Sequence, residues 1–159
     1  MDRITLIALL FSTLGCVPID GGAVETSWVV TTYGDGRGIA DCNCACPPIA
    51  KMRLQLLPLA GGSDPCAGRA ACQFSCNLQS GATRFDIPEG SYAISLVPVG
   101  ADGSDIAHGD PLTCGAQSGI DPVVREVRWG RVTQLDAMTV LATCAADCGG
   151  SDGTKVCTK

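Results

Sequence analysis

The feature that most limits what this chain can fold into is its sulfur: eleven cysteines in 159 residues, an odd number. Reduced, they are small buried apolar groups or metal ligands; oxidised, they are cross-links that hold a small core together. The compartment decides between these fates, and the start of the chain specifies the compartment. Arg3 gives a positive start, Ile4-Thr-Leu-Ile-Ala-Leu-Leu-Phe11 is an apolar run, and Ser12-Thr-Leu-Gly15 leads into Cys16. That order is the layout of an export signal. The run is shorter than the roughly 20 apolar residues of a membrane-spanning helix. Residues 1–15 therefore read as a removable leader, and the remainder is expected outside the cytoplasm.

Thr13-Leu14-Gly15-Cys16 resembles the lipobox of bacterial lipoproteins. The resemblance implies cleavage before Cys16, a diacylglycerol on its thiol and an acylated amine; an ordinary secreted protein and an uncut anchor are the alternatives. Two or three acyl chains, at about 0.8 kcal/mol per buried CH₂, would anchor the protein durably. Val17 stands where that family's inner-membrane retention signal has Asp, which implies the outer membrane. Residues 16–23, with Pro18, Gly21 and Gly22, read as the lipidated cysteine and a tether to the domain.

With Cys16 assigned to lipid, an even set remains: Cys42, Cys44, Cys46, Cys66, Cys72, Cys76, Cys114, Cys144, Cys148 and Cys157. In an exported chain an even set reads as a disulfide framework, each bridge contributing about 2–4 kcal/mol. In Cys42-Asn-Cys-Ala-Cys46, extended neighbours would lie about 6.5–7 Å apart by strand rise, at or beyond bridging reach. Three separate partners are therefore expected, with Cys46–Cys76 spanning the core and Cys148–Cys157 closing the tail. The tail, residues 143–159, holds an odd three of the ten, so at least one of them is expected to staple it to the body. The alternative for Cys42, Cys44 and Cys46 is a zinc or copper(I) thiolate site. No C-x-x-C pair supports a redox motif, and no histidine lies near the cluster. No cofactor is expected beyond that alternative.

Charge narrows the partners. The net charge is −5, unchanged by loss of the leader, and there are only three lysines, Lys51, Lys155 and Lys159. Such a chain has no electrostatic footprint for nucleic acid and no charge-driven attraction to anionic headgroups. His108 is the sole histidine. It can be set beside Ser104 or Ser118 and Asp105 or Asp110, but no G-x-S-x-G context accompanies it. No enzymatic activity is expected. Asp102, Asp105 and Asp110 in one loop, and Asp35 and Asp41 in another, lack the spacing of a calcium loop and read as turn residues.

The length suits one domain, residues 24–142. Val24, Thr26, Trp28 and Val30 alternate in a first strand over residues 24–33, and Gly34-Asp-Gly-Arg-Gly38 ends it. Met52, Leu54 and Leu56 oppose Lys51, Arg53 and Gln55 in a second. Cys72, Phe74 and Cys76 share a face, as do Thr83, Phe85 and Ile87. After the Pro88–Gly90 corner, Tyr92, Ile94 and Leu96 alternate again, and residues 101–111 form a polar loop. Residues 123–129 and 132–141 are expected as strands of a hairpin turning at Gly130-Arg131. Short strands between Gly/Pro turns, without a sustained helical period, indicate an antiparallel all-β sandwich.

Ile87-Pro-Glu-Gly-Ser-Tyr-Ala-Ile resembles the "φ-P-x-G-x-Y-x-φ" corner of transthyretin-like, carboxypeptidase-regulatory-like and Cna-B-type sandwiches. Val127-Arg-Trp-Gly-Arg-Val-Thr-Gln-Leu135 is similar to the late "V-x-x-G-x-V-T-x-L" segment of the same group. The whole also resembles cysteine-containing bacterial lipoproteins built on this sandwich. The resemblance implies about seven strands in two Ig-like sheets and no catalytic machinery. It departs from isopeptide-bonded Cna-B domains, because Lys51 falls on a polar face and the first strand has no lysine. Trp28 and Trp129 are candidate stacking platforms for a carbohydrate or peptide, with core packing the alternative for each. The expected role is non-catalytic: binding or scaffolding an envelope protein or glycan, with residues 34–41 and 101–118 as contact loops.

Overall fold

The computed structural model describes residues 19–32, 42, 48–106, 115–118 and 122–143. Nine strands are present among them: β1 (Ala23–Thr32), β2 (Lys51–Pro58), β3 (Gln73–Ser75), β4 (Ser80–Ala82), β5 (Gly90–Val99), β6 (Gly115–Ser118), β7 (Val123–Val127), β8 (Val132–Gln134) and β9 (Met138–Thr143). They form two sheets. One has the order β4-β1-β9-β6, with β8 also beside β1; the other is β3-β2-β5-β7. The protein is an all-β sandwich, and among the described residues two disulfides cross-link it.

Period-2 alternation fixes which faces meet. Val24, Thr26, Trp28 and Val30 of β1 are buried against Met52, Leu54 and Leu56 of β2 and Tyr92, Ile94 and Leu96 of β5. Lys51 and Leu57 lie on the opposite, exposed face of β2. The two buried hydroxyls are not wasted: Thr83 Oγ1 accepts from Val24 N at 2.9 Å, and Thr26 Oγ1 donates to Met138 Sδ at 3.8 Å. At the corner before β5, the Tyr92 hydroxyl donates to Pro88 O at 2.8 Å, closing the turn that the Pro-Glu-Gly sequence opens. Gly81 of β4 lies under the Phe74 ring, where any Cβ would collide.

Three expectations change here. Residues 128–131 do not join a hairpin. Arg131 N donates to Arg128 O in a tight turn with Gly130 at φ +67°, and the chain passes from β7 in one sheet to β8 in the other. β8 runs parallel to β1, Ala23 opposite Val132, and that long-range pairing overrides the local hairpin signal. Second, the strand expected over residues 132–141 is interrupted. Between Gln134, opposite Glu25, and Met138, opposite Trp28, the chain has three residues where β1 has two. This one-residue bulge changes the alternation, so Leu135 and then Met138 and Val140 face the core. Third, the tether is shorter than residues 16–23. Asp20 N donates to Phe85 O, Gly22 exchanges two bonds with Ile87, and Gly130 N donates to Gly21 O, so the fold takes hold by Asp20.

Candidate functional site

The pairing register gives the sandwich two distinct ends. Gly22 bridges Ile87, and Trp129 N reaches Glu89 Oε2 at 3.4 Å, so the starts of β1 and β5 and the end of β7 share one end. The chain enters here, and this is the proximal end. At the distal end lie the end of β5, the start of β2, and the flanks of the loops that follow β1 and β5.

The distal rim is built from cross-links. Cys42 is bonded to Cys76, with Cα atoms 6.0 Å apart, and Ile49 N donates to Cys42 O at 2.9 Å. Cys76 N in turn donates to Ala50 O, and Ala50 N to Val99 O. The segment between β1 and β2 is thus pinned at Cys42, and again at Ile49 and Ala50, to the end of the β3-β2-β5-β7 sheet. Trp28 locks the same point from within: its Nε1 donates to Cys76 O at 3.0 Å and its ring stacks on Phe74 at 6.2 Å.

Beside it, the chain after β5 folds back on itself. Gly100 N donates to Ser104 O, Ile106 N to Pro98 O, and Gly103 adopts φ +83°, which favours glycine. The Arg53 guanidinium grips both Asp105 oxygens, at 2.6 and 2.8 Å, and fastens the turn to β2. Asp102 Oδ1 accepts from the Ser104 hydroxyl at 2.7 Å and from Ser104 N at 3.0 Å; these bonds hold its carboxyl below the usual carboxylate range. Asp102 and Asp105 therefore serve as turn and ion-pair residues. Asp35, Asp41, Asp110 and His108 lie outside the described residues.

The sequence-predicted residues separate clearly. Trp28 is 1% exposed and offers no platform, whereas Trp129 is 60% exposed, past the end of β7 and at the proximal end. Trp28 as a binding residue is corrected by its alternation with Val24, Thr26 and Val30, which turns it inward. The bridge expected between Cys46 and Cys76 is also corrected, since Cys76 is bonded to Cys42. Cys42 thereby leaves the alternative thiolate set, because a disulfide sulfur is not a thiolate ligand. Cys66 is bonded to Cys72, with Cα atoms 5.6 Å apart. Cys16, Cys44, Cys46, Cys114, Cys144, Cys148 and Cys157 lie outside the described residues. Among the described residues, no three His, Cys, Asp or Glu side chains gather as a metal site.

No protein-family model, curated protein or solved structure matches the chain.

Proposed function

We propose that this is a lipid-anchored envelope protein of the bacterial outer membrane, held by Cys16, that binds or scaffolds an envelope protein or glycan through its distal loops and performs no chemistry itself. The observation that carries the reading is the pinned distal rim. Disulfide, ion pair and backbone bonds all converge on the bases of two loop segments, at Cys42–Cys76 and Arg53–Asp105. Fixing a loop base lowers the ordering cost of binding, which a merely structural connection does not require. The two disulfides support an oxidising compartment. The lipobox-like Thr13-Leu14-Gly15-Cys16 supports the anchor, and the Ile87–Ile94 corner supports a transthyretin-like or carboxypeptidase-regulatory-like ancestry.

Two measurements test this reading. Intact mass of the membrane-extracted protein, before and after reduction, is expected to show a chain starting at an acylated Cys16 and to gain mass on reduction. An unlipidated chain that retains Met1 would overturn the address. For the role, a photo-crosslinking residue is placed in living cells at Ala101 or Gly103, and separately at Val124, which is exposed on β7 opposite Ala93 and away from the distal rim. Defined adducts to one envelope protein or glycan are expected from the first two positions. Equal or stronger adducts from Val124 would sink the distal-loop reading.

A further inference from the structure

We infer that the proximal end of the sandwich is a membrane-contact face, with Trp129 seated in the headgroup region of the bilayer that holds the protein's own acyl chains. This rests on the lipid-anchor reading above.

Three large apolar side chains stand out from that end: Ile19 at 48%, Leu59 at 57% and Trp129 at 60% exposure. Backbone bonds tie them to one surface. Ile19 is two residues from Gly21, whose carbonyl takes the N–H of Gly130, next to Trp129. Leu59 N donates to Ser91 O, and Ser91 lies two residues past Glu89, which accepts from Trp129 N. Isolated exposed apolar residues need no explanation, but a tryptophan and two aliphatics gathered at one end do.

The occupant follows from where the chain enters. Cys16 is three residues before Ile19, and three extended residues span at most about 11 Å. Asp20 and Gly22 are already bonded to Phe85 and Ile87, so the fold cannot swing away on a long tether. An acylated Cys16 therefore holds Ile19 within about 11 Å of the lipid attachment, against a headgroup region about 5–8 Å deep on each side of the bilayer. Tryptophan suits that depth, with its ring in the interface and its N–H still hydrated. The face carries charges of both signs. Asp20 and Glu89 are exposed there, Arg128 is paired with Glu126 at 2.7 Å, and Arg131 makes no ion pair among the described residues, so it is the cation that can reach lipid phosphate. The same placement points the pinned distal rim away from the membrane.

Trp28 and Trp129 are the only tryptophans, and only Trp129 is exposed, so fluorescence reads the face directly. Membrane-extracted protein and its Trp129→Phe variant are reconstituted into phosphatidylethanolamine/phosphatidylglycerol vesicles, with or without bromine near the headgroup end of the acyl chains. Intact mass and flotation are recorded on the same samples. In acylated, floating protein, bromine is expected to cut the Trp129 contribution by about twofold or more and to leave the emission of the variant unchanged. Acylated, floating protein whose emission ignores bromine overturns the contact face and leaves the anchor standing. Protein of unmodified mass overturns the anchor. Quenching by added vesicles in that case supports the face alone, and its absence overturns both.

Discussion

The two disulfides differ in the loops they close, and that difference predicts their separate contributions. Cys42–Cys76 spans 34 residues and Cys66–Cys72 spans 6. The chain-entropy relation assigns about 3.8 kcal/mol at 25 °C to the longer loop and about 2.2 kcal/mol to the shorter. The short loop is nested inside the long one, which trims the effective outer loop to about 28 residues and its contribution to about 3.6 kcal/mol. All four cysteines are buried, so replacing either pair with Ala removes similar apolar contact and that cost largely cancels in the comparison. The C42A/C76A variant keeps only the 6-residue loop and C66A/C72A only the 34-residue loop, so the former should lose about 1.6 kcal/mol more stability. Urea unfolding followed by tryptophan fluorescence measures both. The outer-bridge variant should also show the larger m, because its denatured chain expands more. Equal losses, or a larger loss from C66A/C72A, would refute the loop-entropy account of how the rim is held.

Three further outcomes follow from particular contacts. Burial raises the Tyr92 phenol above its ordinary value, and its hydroxyl must stay protonated to donate to Pro88 O. The stability it confers is full below the unfolded value of about 10 and is lost as pH climbs through the raised folded value. Tyr92→Phe should cost about 1 kcal/mol at neutral pH and flatten the alkaline limb of a stability-versus-pH curve. Asp105→Asn, which weakens a partly exposed bidentate ion pair, should cost about 0.5–1 kcal/mol, with amide exchange speeding first at Gly103, Ser104 and Ile106. Among the described residues β7 is an edge strand, and two of its carbonyls are covered by side chains: Val124 O by Arg125 Nη1 and Glu126 O by Thr133 Oγ1, each at 3.0 Å. Thr133→Val should uncover the second and raise self-association in sedimentation velocity, since open strand edges template pairing.

Much of the scaffold was legible because a half-buried strand writes its faces in period two. Met52, Leu54 and Leu56, and again Tyr92, Ile94 and Leu96, alternate with polar or small residues, and that pattern alone identifies their core face. The Pro88–Tyr92 corner was legible for a related reason: its turn and its tyrosine are local in sequence. What the sequence hid was long-range. Cys42 and Cys46 have the same strand parity, so alternation cannot choose which of them meets Cys76; the structure docks Cys42 there, beside the Ile49 and Ala50 bonds. Gly130-Arg131 has the chemistry of a hairpin turn, yet the partner of Val132 is Ala23, far away in sequence. The site suffered most from this. Trp28 and Trp129 both sit beside strand patterns, and only the end of β7 at Val127 releases Trp129 into a turn.

The bulge between β8 and β9 links the two ends. β8 must lie beside Ala23–Glu25 to carry the Arg128–Arg131 turn at the proximal end, where Gly130 and Arg131 bond to Gly21 and Ala23. β9 must lie beside Trp28–Thr32 so that Met138 and Val140 fill the core near the inner wall of the distal rim. A regular strand cannot do both. Two-residue alternation from Leu135 would turn Ala137 and Thr139 inward and expel Met138 and Val140, at about 1.5–3 kcal/mol for each large side chain lost from the core. One extra residue resolves the conflict. It keeps Leu135 and Met138 both buried and lets a single length of chain serve the end with Trp129 and the end with Cys42–Cys76. The separation of the Trp129 end from the Cys42–Cys76 end is thus built into the pairing of β1 with its parallel neighbours β8 and β9.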